Sequence, residues 1–129
     1  SGKYWLEKTG MEDFFLRMNA WNLGILLKDH IVEADEIYTH NAWGEYGHSD
    51  HIMVHEVVGS LCQIFKKPMW CFDGIEKRKN DGKPTERRTE KIDLRFFEDI
   101  KRIYIKNDCW TWKKDYVPKS EQEYFRELL

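Results

Sequence analysis

The chain has 129 residues, enough for one domain that buries a hydrophobic core. With 21 basic and 23 acidic side chains its net charge is −2, so it lacks the basic field that binds nucleic acid or an anionic membrane surface. Its apolar runs fall far short of the ~18 residues of a membrane span, and three cysteines without Cys-x-x-Cys spacing favour reduced thiols over a disulfide framework. These features predict a cytoplasmic protein whose partners include neither nucleic acid nor a membrane.

The first predicted element is a helix from near Gly10 to about His30. Thr9-Gly10-Met11-Glu12 has the Ser/Thr-x-x-Glu form of a capping box, and apolar residues then recur at helical spacing. We expect His30 to interact with the last carbonyl groups of this helix rather than to serve a site. A buried strand is predicted next, over residues 34–40.

Four of the five histidines lie in the window Tyr38–His55, where this strand gives way to a second predicted helix. In open α/β sheets, ligands bind at such strand-to-helix loops, outside the carboxyl ends of the strands. Gly44 and Gly47 allow the loop to turn sharply and to approach a ligand closely. The sequence therefore predicts a functional site in this loop.

Two of these histidines, His48 and His51, are three residues apart. If Ser49 or Asp50 opens the helix, both rings lie near its first turn, where an imidazole can bind a divalent metal or act as acid and base. Asp50 is placed to accept a ring N–H and to fix the tautomer, as residues around a metal-bound histidine commonly do.

The second helix is predicted to run from His51 to about Lys66 and to end at Lys66-Lys67-Pro68. His55 lies one turn beyond His51, either as support for the site or as an ordinary helix histidine. The predicted buried face consists of apolar residues at helical spacing: Met53, Val54, Val57, Val58, Leu61, Ile64 and Phe65.

The rest of the chain reads as a strand over 68–72, an exposed charged loop over 76–88 and a short strand over 89–92. An amphipathic helix capped by Asp93 follows. Ser120-Glu121-Gln122-Glu123 then predicts a final short helix that carries Tyr124, Phe125 and Leu128.

The residues Thr39-His40-Asn41 and Gly44-Glu45-Tyr46-Gly47-His48-Ser49-Asp50-His51 together resemble a motif of the LmbE-like (PIG-L) zinc-dependent N-deacetylases. In that family the pattern reads roughly Thr-His-Asn, a short loop, and then Gly-Glu-Tyr-Gly-His-Pro-Asp-His. Ser49 is the clear departure, at a position where proline presets the first helical turn. The resemblance implies a Rossmann-like, three-layer α/β fold, of which residues 1–129 would form a single domain truncated at its N-terminal side.

The chemistry that this family performs is the removal of an acetyl group from an N-acetylated sugar or a related acetamide by metal-activated water. Carried to this sequence, the resemblance makes His51 a zinc ligand. It makes His48 the acid that stabilises the oxyanion and helps the amine to leave, with Asp50 tuning its charge. Tyr46 corresponds to the tyrosine that reaches the scissile carbonyl.

The family takes its other two zinc ligands and its aspartate base from a His-Pro-Asp-Asp-Glu motif near the N-terminus, which this chain does not contain. We therefore expect the other Zn²⁺ ligands to be absent from this chain. Three interpretations follow: a piece of a longer gene, a split or degenerate protein whose partner chain supplies the missing strands, or an accidental match in which His48 and His51 serve an unrelated structural site.

An alternative function is a non-catalytic ligand-binding or assembly domain that has lost the metal site. The truncated fold also predicts an unpaired sheet edge at residues 34–39, and unpaired edges favour association. We therefore expect either a homo-oligomer or a missing N-terminal segment that covers this edge.

Overall fold

The structure is a computed structural model that describes residues 12–73 and 86–129. Residues 9–11 of the predicted capping box and residues 76–85 of the predicted charged loop lie outside this part of the chain. The elements in chain order are α1 (Glu12–Glu33), β1 (Ile37–Thr39), α2 (Gly44–Gly47, one irregular turn), α3 (Ser49–Phe65), β2 (Met69–Phe72), β3 (Arg87–Lys91), α4 (Leu94–Lys106) and β4 (Glu121–Glu127).

The four strands form one mixed sheet in the order β1-β2-β4-β3. β1 and β2 are parallel, and α3 is the helical crossover that parallel neighbours require. β4 is antiparallel to both β2 and β3. The described part of the chain is therefore a mixed α/β domain, as the sequence predicts, with β1 at one edge of the sheet.

The predicted helix at the C-terminus is wrong, because residues 121–127 form the strand β4. The Ser120–Glu123 stretch looks like a helix start, yet β4 is hydrogen-bonded on both sides, to β2 and to β3. Phe125 faces the core, whereas Tyr124 faces the other side of the sheet. Pairing with two neighbours therefore outweighs the local preference. Arg87 and Arg88 likewise begin β3 instead of ending a loop.

Two helix boundaries follow the predictions closely. α3 begins at Ser49 and ends at Phe65, and the φ of 56° at its C-cap Lys66 is the left-handed conformation typical of that position. Asp93 caps α4 by accepting hydrogen bonds from the N–H groups of Arg95 and Phe96.

The core lies between α3 and one face of the sheet. Ile64 is an exception to the predicted apolar face, since it is 68% exposed, whereas Cys62 is fully buried. Helix α1 packs along α3, with Gly24 facing Val57. The buried apolar residues that form this core are Ile31, Val58, Cys62, Met69, Cys71 and Phe125.

The opposite face of the sheet carries a row of aromatic side chains that Arg88 covers. Tyr38 packs against both Trp70 and Tyr124, and the Arg88 guanidinium lies 4.0 Å from the centroid of the Trp70 ring. Arg88 also donates hydrogen bonds to Glu36 and thereby lowers the pKa of that carboxyl group. Among the described residues, every helix is too short or too polar to cross a lipid bilayer.

Candidate metal centre

The loop between β1 and α3 is shaped by glycine. Gly44 has a φ of +62°, and a Cβ added there would lie 2.9 Å from Cγ1 of Ile52. Gly47 has a φ of +90°, with open space around it. Both positions favour glycine because side chains rarely adopt positive φ, and only Gly44 is also crowded. The two glycines therefore set the path of the loop, as the sequence predicts.

Asn41 fastens this loop to the sheet. The side chain is fully buried, and its Nδ2 donates a hydrogen bond of 2.8 Å to the carbonyl oxygen of Phe72, at the carboxyl end of β2. Its Oδ1 accepts a bond of 2.8 Å from the N–H of Glu45, and its own N–H donates to Oε1 of Glu45 at 3.2 Å. Asn41 thus fixes both the backbone and the carboxylate of Glu45.

Glu45 is the buried acid of the loop, with 5% of its surface exposed. Its Oε2 lies 3.1 Å from Nδ1 of His40 and contacts Nδ1 of His51. Its φ of 59° is a left-handed value that a residue with a side chain adopts only at an energetic cost. Glu45 therefore has a strained backbone conformation in which its carboxylate points toward two imidazoles.

Three imidazoles stack beside this carboxylate. The ring centroids of His40 and His51 are 3.9 Å apart, and those of His51 and His48 are 4.5 Å apart. All three side chains are partly exposed, so the stack is open to solvent on one side. A small molecule can therefore reach these rings.

His40, Glu45 and His51 form a possible metal site, since one ligand atom from each lies within 4.8 Å of the others. Two imidazole nitrogens and one carboxylate are a donor set that catalytic zinc sites use, with a remaining position for water or substrate. The donor chemistry therefore fits a zinc ion. The other ligands were expected to be absent from this chain, but the loop contains two further groups beside His51 that could bind a metal.

Sequence analysis did not identify His40 and Glu45 as possible metal ligands, although both lie inside the motif. A signal was present in the spacing: His40 directly follows the strand, and Glu45 lies between two glycine-hinged turns that return the chain toward β1. This spacing was not interpreted as a ligand pattern because the family resemblance places the other ligands in an N-terminal motif.

The remaining predicted site residues lie at the rim of the cluster. His48 is the N-cap of α3, and its Nδ1 accepts a hydrogen bond of 3.3 Å from the N–H of Asp50. The carboxylate of Asp50 lies 4.0 Å from the same nitrogen, beyond hydrogen-bonding distance. Tyr46 is exposed, and its ring packs edge-on against His48 and His51. All four predicted site residues are therefore neighbours.

The two other histidines lie apart from this cluster. His30 is exposed in the last turn of α1, consistent with the prediction of a helix-end histidine. His55 is buried one turn further along α3, near Cys71 and Glu127.

Comparisons of the chain with protein-family models, with curated proteins and with solved structures give no match. The resemblance of residues 39–51 to the N-deacetylases therefore stays a prediction. The case for a function rests on the geometry of the loop.

Proposed function

We propose that this chain carries the metal centre of a zinc-dependent hydrolase that removes an acetyl group from an N-acetylated sugar or a related acetamide. The observation that carries the proposal is the convergence of His40, Glu45 and His51 on one point at the carboxyl end of β1. This is the end of a parallel strand at which α/β proteins bind their ligands.

The charge of the cluster suits a divalent cation that must also bind a polar substrate. One carboxylate and two neutral imidazoles contribute a charge of −1, which leaves a bound Zn²⁺ with a net +1 at the site. Such an ion lowers the pKa of a bound water and polarises an amide carbonyl. Asn41 would keep the ligand Glu45 in place, because it bonds both to its carboxylate and to its backbone.

His48 is suited to give a proton to the departing amine. Its Nδ1 accepts the hydrogen bond from the N–H of Asp50, so the neutral ring carries its proton on Nε2. The form that would protonate the amine is the imidazolium, which carries a proton on each ring nitrogen. The Asp50 carboxylate lies 4.0 Å from Nδ1. Tyr46 places an exposed phenol beside both histidines and is available to contact the scissile carbonyl.

We propose in addition that the domain has a Rossmann-like, three-layer fold. Rossmann-like sheets are built from β-α-β crossovers such as the β1-α3-β2 unit, and α3 covers one face of the sheet. A further layer would pack on the other face, where Tyr38 is 40% exposed and the Arg88 guanidinium covers Trp70.

We also propose that the chain self-associates. Within residues 12–73 and 86–129, β1 is the last strand at its edge of the sheet, and α1 exposes apolar side chains, among them Trp21 at 74%. Unpaired edges and apolar surface both favour association. Light scattering at micromolar concentration should give a dimer or larger species, and a monomer would contradict this proposal.

The alternative function, a non-catalytic ligand-binding or assembly domain, is favoured by one feature of the loop. Glu45 already contacts two imidazoles and Asn41, so the cluster is satisfied without an ion. In that case the histidines and the carboxylate would serve only to hold the loop.

Zinc titration by calorimetry separates the two functions. We expect His40→Ala and His51→Ala each to lose one equivalent of Zn²⁺, whereas His30→Ala, which changes an exposed histidine of α1, binds as the wild type does. Zinc binding that is unchanged in both loop variants would exclude this metal site.

Hydrolysis needs a separate variant that leaves the ligands intact. We expect the wild type with Zn²⁺ to release acetate from an N-acetylglucosamine conjugate, and His48→Ala to bind Zn²⁺ normally but to lose about 10²–10⁴-fold in rate. Stoichiometric zinc binding at His51 without any acetate release would keep the metal site but contradict the proposed hydrolysis.

A further inference from the structure

A second group of possible metal ligands lies between α3 and the sheet, separate from the loop. His55, Cys71 and Glu127 come from α3, β2 and β4, and one ligand atom of each lies within 4.8 Å of the others. We refer to these three residues as the core cluster. The proposed hydrolysis uses none of them.

His55 gives the clearest sign that this cluster accepts a ligand. The residue is 9% exposed, and neither ring nitrogen has a hydrogen-bond partner among the described residues. Its Nε2 lies 3.6 Å from Oε1 of Glu127, beyond hydrogen-bonding distance. Buried polar atoms without partners are rare in folded proteins, because each costs free energy. An ion between these groups would satisfy the imidazole.

The other two members are held next to each other in the absence of an ion. The thiol of Cys71 is fully buried and donates a hydrogen bond of 3.4 Å to Oε2 of Glu127. Burial raises the pKa of Cys71, so the sulfur keeps its proton at neutral pH until a metal displaces it. The contact with His55 lowers the pKa of Glu127, so its carboxylate is ready to bind.

We propose that His55, Cys71 and Glu127 bind a thiophilic divalent cation, Zn²⁺, that joins α3 to the two central strands of the sheet. Thiolate sulfur, imidazole nitrogen and carboxylate oxygen are the three kinds of zinc ligand found in proteins. The metal forms bonds to all three residues and displaces the thiol proton to solvent, together with any proton that His55 carries.

Charge balance explains why the buried position suits this ion. A thiolate, a carboxylate and a neutral imidazole carry −2 together, so the complex with Zn²⁺ is neutral and its burial avoids the cost of an unpaired charge. A cavity of about 340 Å³ reaches Cys62 and Glu127, which gives an ion a path from solvent to the carboxylate. The site would stabilise the fold and is independent of the proposed function.

Cobalt titration of the full chain tests this site, because a Co²⁺ ion bound to a thiolate gives a near-ultraviolet charge-transfer band that nitrogen and oxygen ligands do not give. We expect the band in the wild type, its loss in Cys71→Ser and its retention in Cys109→Ser, which changes an exposed cysteine. His51→Ala should also retain the band, because His51 belongs to the loop site. This variant therefore distinguishes cobalt binding at the core cluster from cobalt binding at the loop.

Glu127→Gln keeps the thiol and the size of the side chain but removes the negative charge. We expect the cobalt concentration at half saturation of the band to rise by more than the ~10–100-fold that loss of an outer-shell partner causes. No band in a folded wild type at millimolar cobalt, or a band that persists in Cys71→Ser, would overturn the proposal. An unchanged affinity in Glu127→Gln would do so as well.

Discussion

The loop cluster of His40, Glu45 and His51 and the core cluster differ mainly in burial. Helix α3 contributes to both, with His51 at its first turn and His55 one turn later. The loop rings are open to solvent on one side, whereas Cys71 is fully buried and His55 nearly so. An ion in the loop can exchange water for substrate, whereas an ion in the core cluster would be held between one helix and two strands of the fold. We therefore expect the exposed loop cluster to take part in a reaction and the buried core cluster to stabilise the fold.

The two acids are also held differently. Glu45 is fixed by Asn41 and by a strained backbone, which orients the carboxylate before any ligand arrives. Glu127 lies near the end of an ordinary strand and owes its position to the sheet. Strain at Glu45 and regular geometry at Glu127 are consistent with a functional and a structural role respectively.

The largest expected effect is that of Glu45→Gln on zinc binding in the loop. The amide keeps the shape of the side chain but not the charge, so affinity at this site should fall by more than about 100-fold, beyond the usual loss for an outer-shell partner. Calorimetry should show one equivalent lost, while the cobalt band of the core cluster remains. Loss of metal binding at both sites in this variant would contradict the independence of the loop cluster and the core cluster.

Asn41→Ala should have the next largest effect, because it removes the two side-chain hydrogen bonds of Asn41 and no metal ligand. We expect zinc affinity in the loop to fall by about 10–100-fold. The free energy of unfolding should fall by about 2–5 kcal/mol, since buried backbone groups of Phe72 and Glu45 lose their partners. Urea unfolding measures this loss, and Asn22→Ala on the exposed surface of α1 is the control. A larger loss in the control would contradict the assignment of Asn41.

Gly44→Ala and Gly47→Ala form a matched pair that tests the shape of the loop. Both add a Cβ at positive φ, at a cost of about 1–2 kcal/mol, but only the Cβ at position 44 collides with Ile52. Gly44→Ala should therefore lower both the unfolding free energy and the loop affinity more than Gly47→Ala does. Equal effects in thermal unfolding and zinc titration would show that crowding does not shape the loop.

The sequence predicts the parts of the molecule that depend on local signals. The spacing of apolar residues and the Asp93 cap identify α3 and α4, and the histidine window correctly marks a strand-to-helix loop. The prediction for β4 fails because its pairing partners are distant in sequence, and local capping residues cannot reveal them. Zinc as the metal and the roles of His48, Asp50 and Tyr46 stay predictions.

The two clusters were not equally accessible to sequence reasoning. Members of the loop cluster lie within twelve residues, His40 to His51, so a motif can indicate them. The core cluster joins His55 to residues 16 and 72 positions later on two strands. No spacing rule links such residues, and only the register that sets Cys71 opposite Phe125, with Glu127 two residues further along β4, brings them together.

The smallest expected effect is an acid-dependent difference between wild type and Glu127→Gln in the absence of metal. The pKa of Glu127 is lowered in the folded chain from the usual value of 4.5, chiefly by the contact with His55, so ionisation of this group favours folding. Its contribution to stability is present above pH 4.5 and is lost as the pH falls through the lower pKa of the folded state. Urea midpoints measured with a chelator should therefore differ between the two proteins near neutral pH and converge in acid.

The groups facing Glu127 are His55 on α3 and Cys71 on β2, and Cys71 stays protonated throughout this range, so it does not contribute to the change. A difference that is constant across the acid range would show that the ionisation of Glu127 does not stabilise the fold without metal.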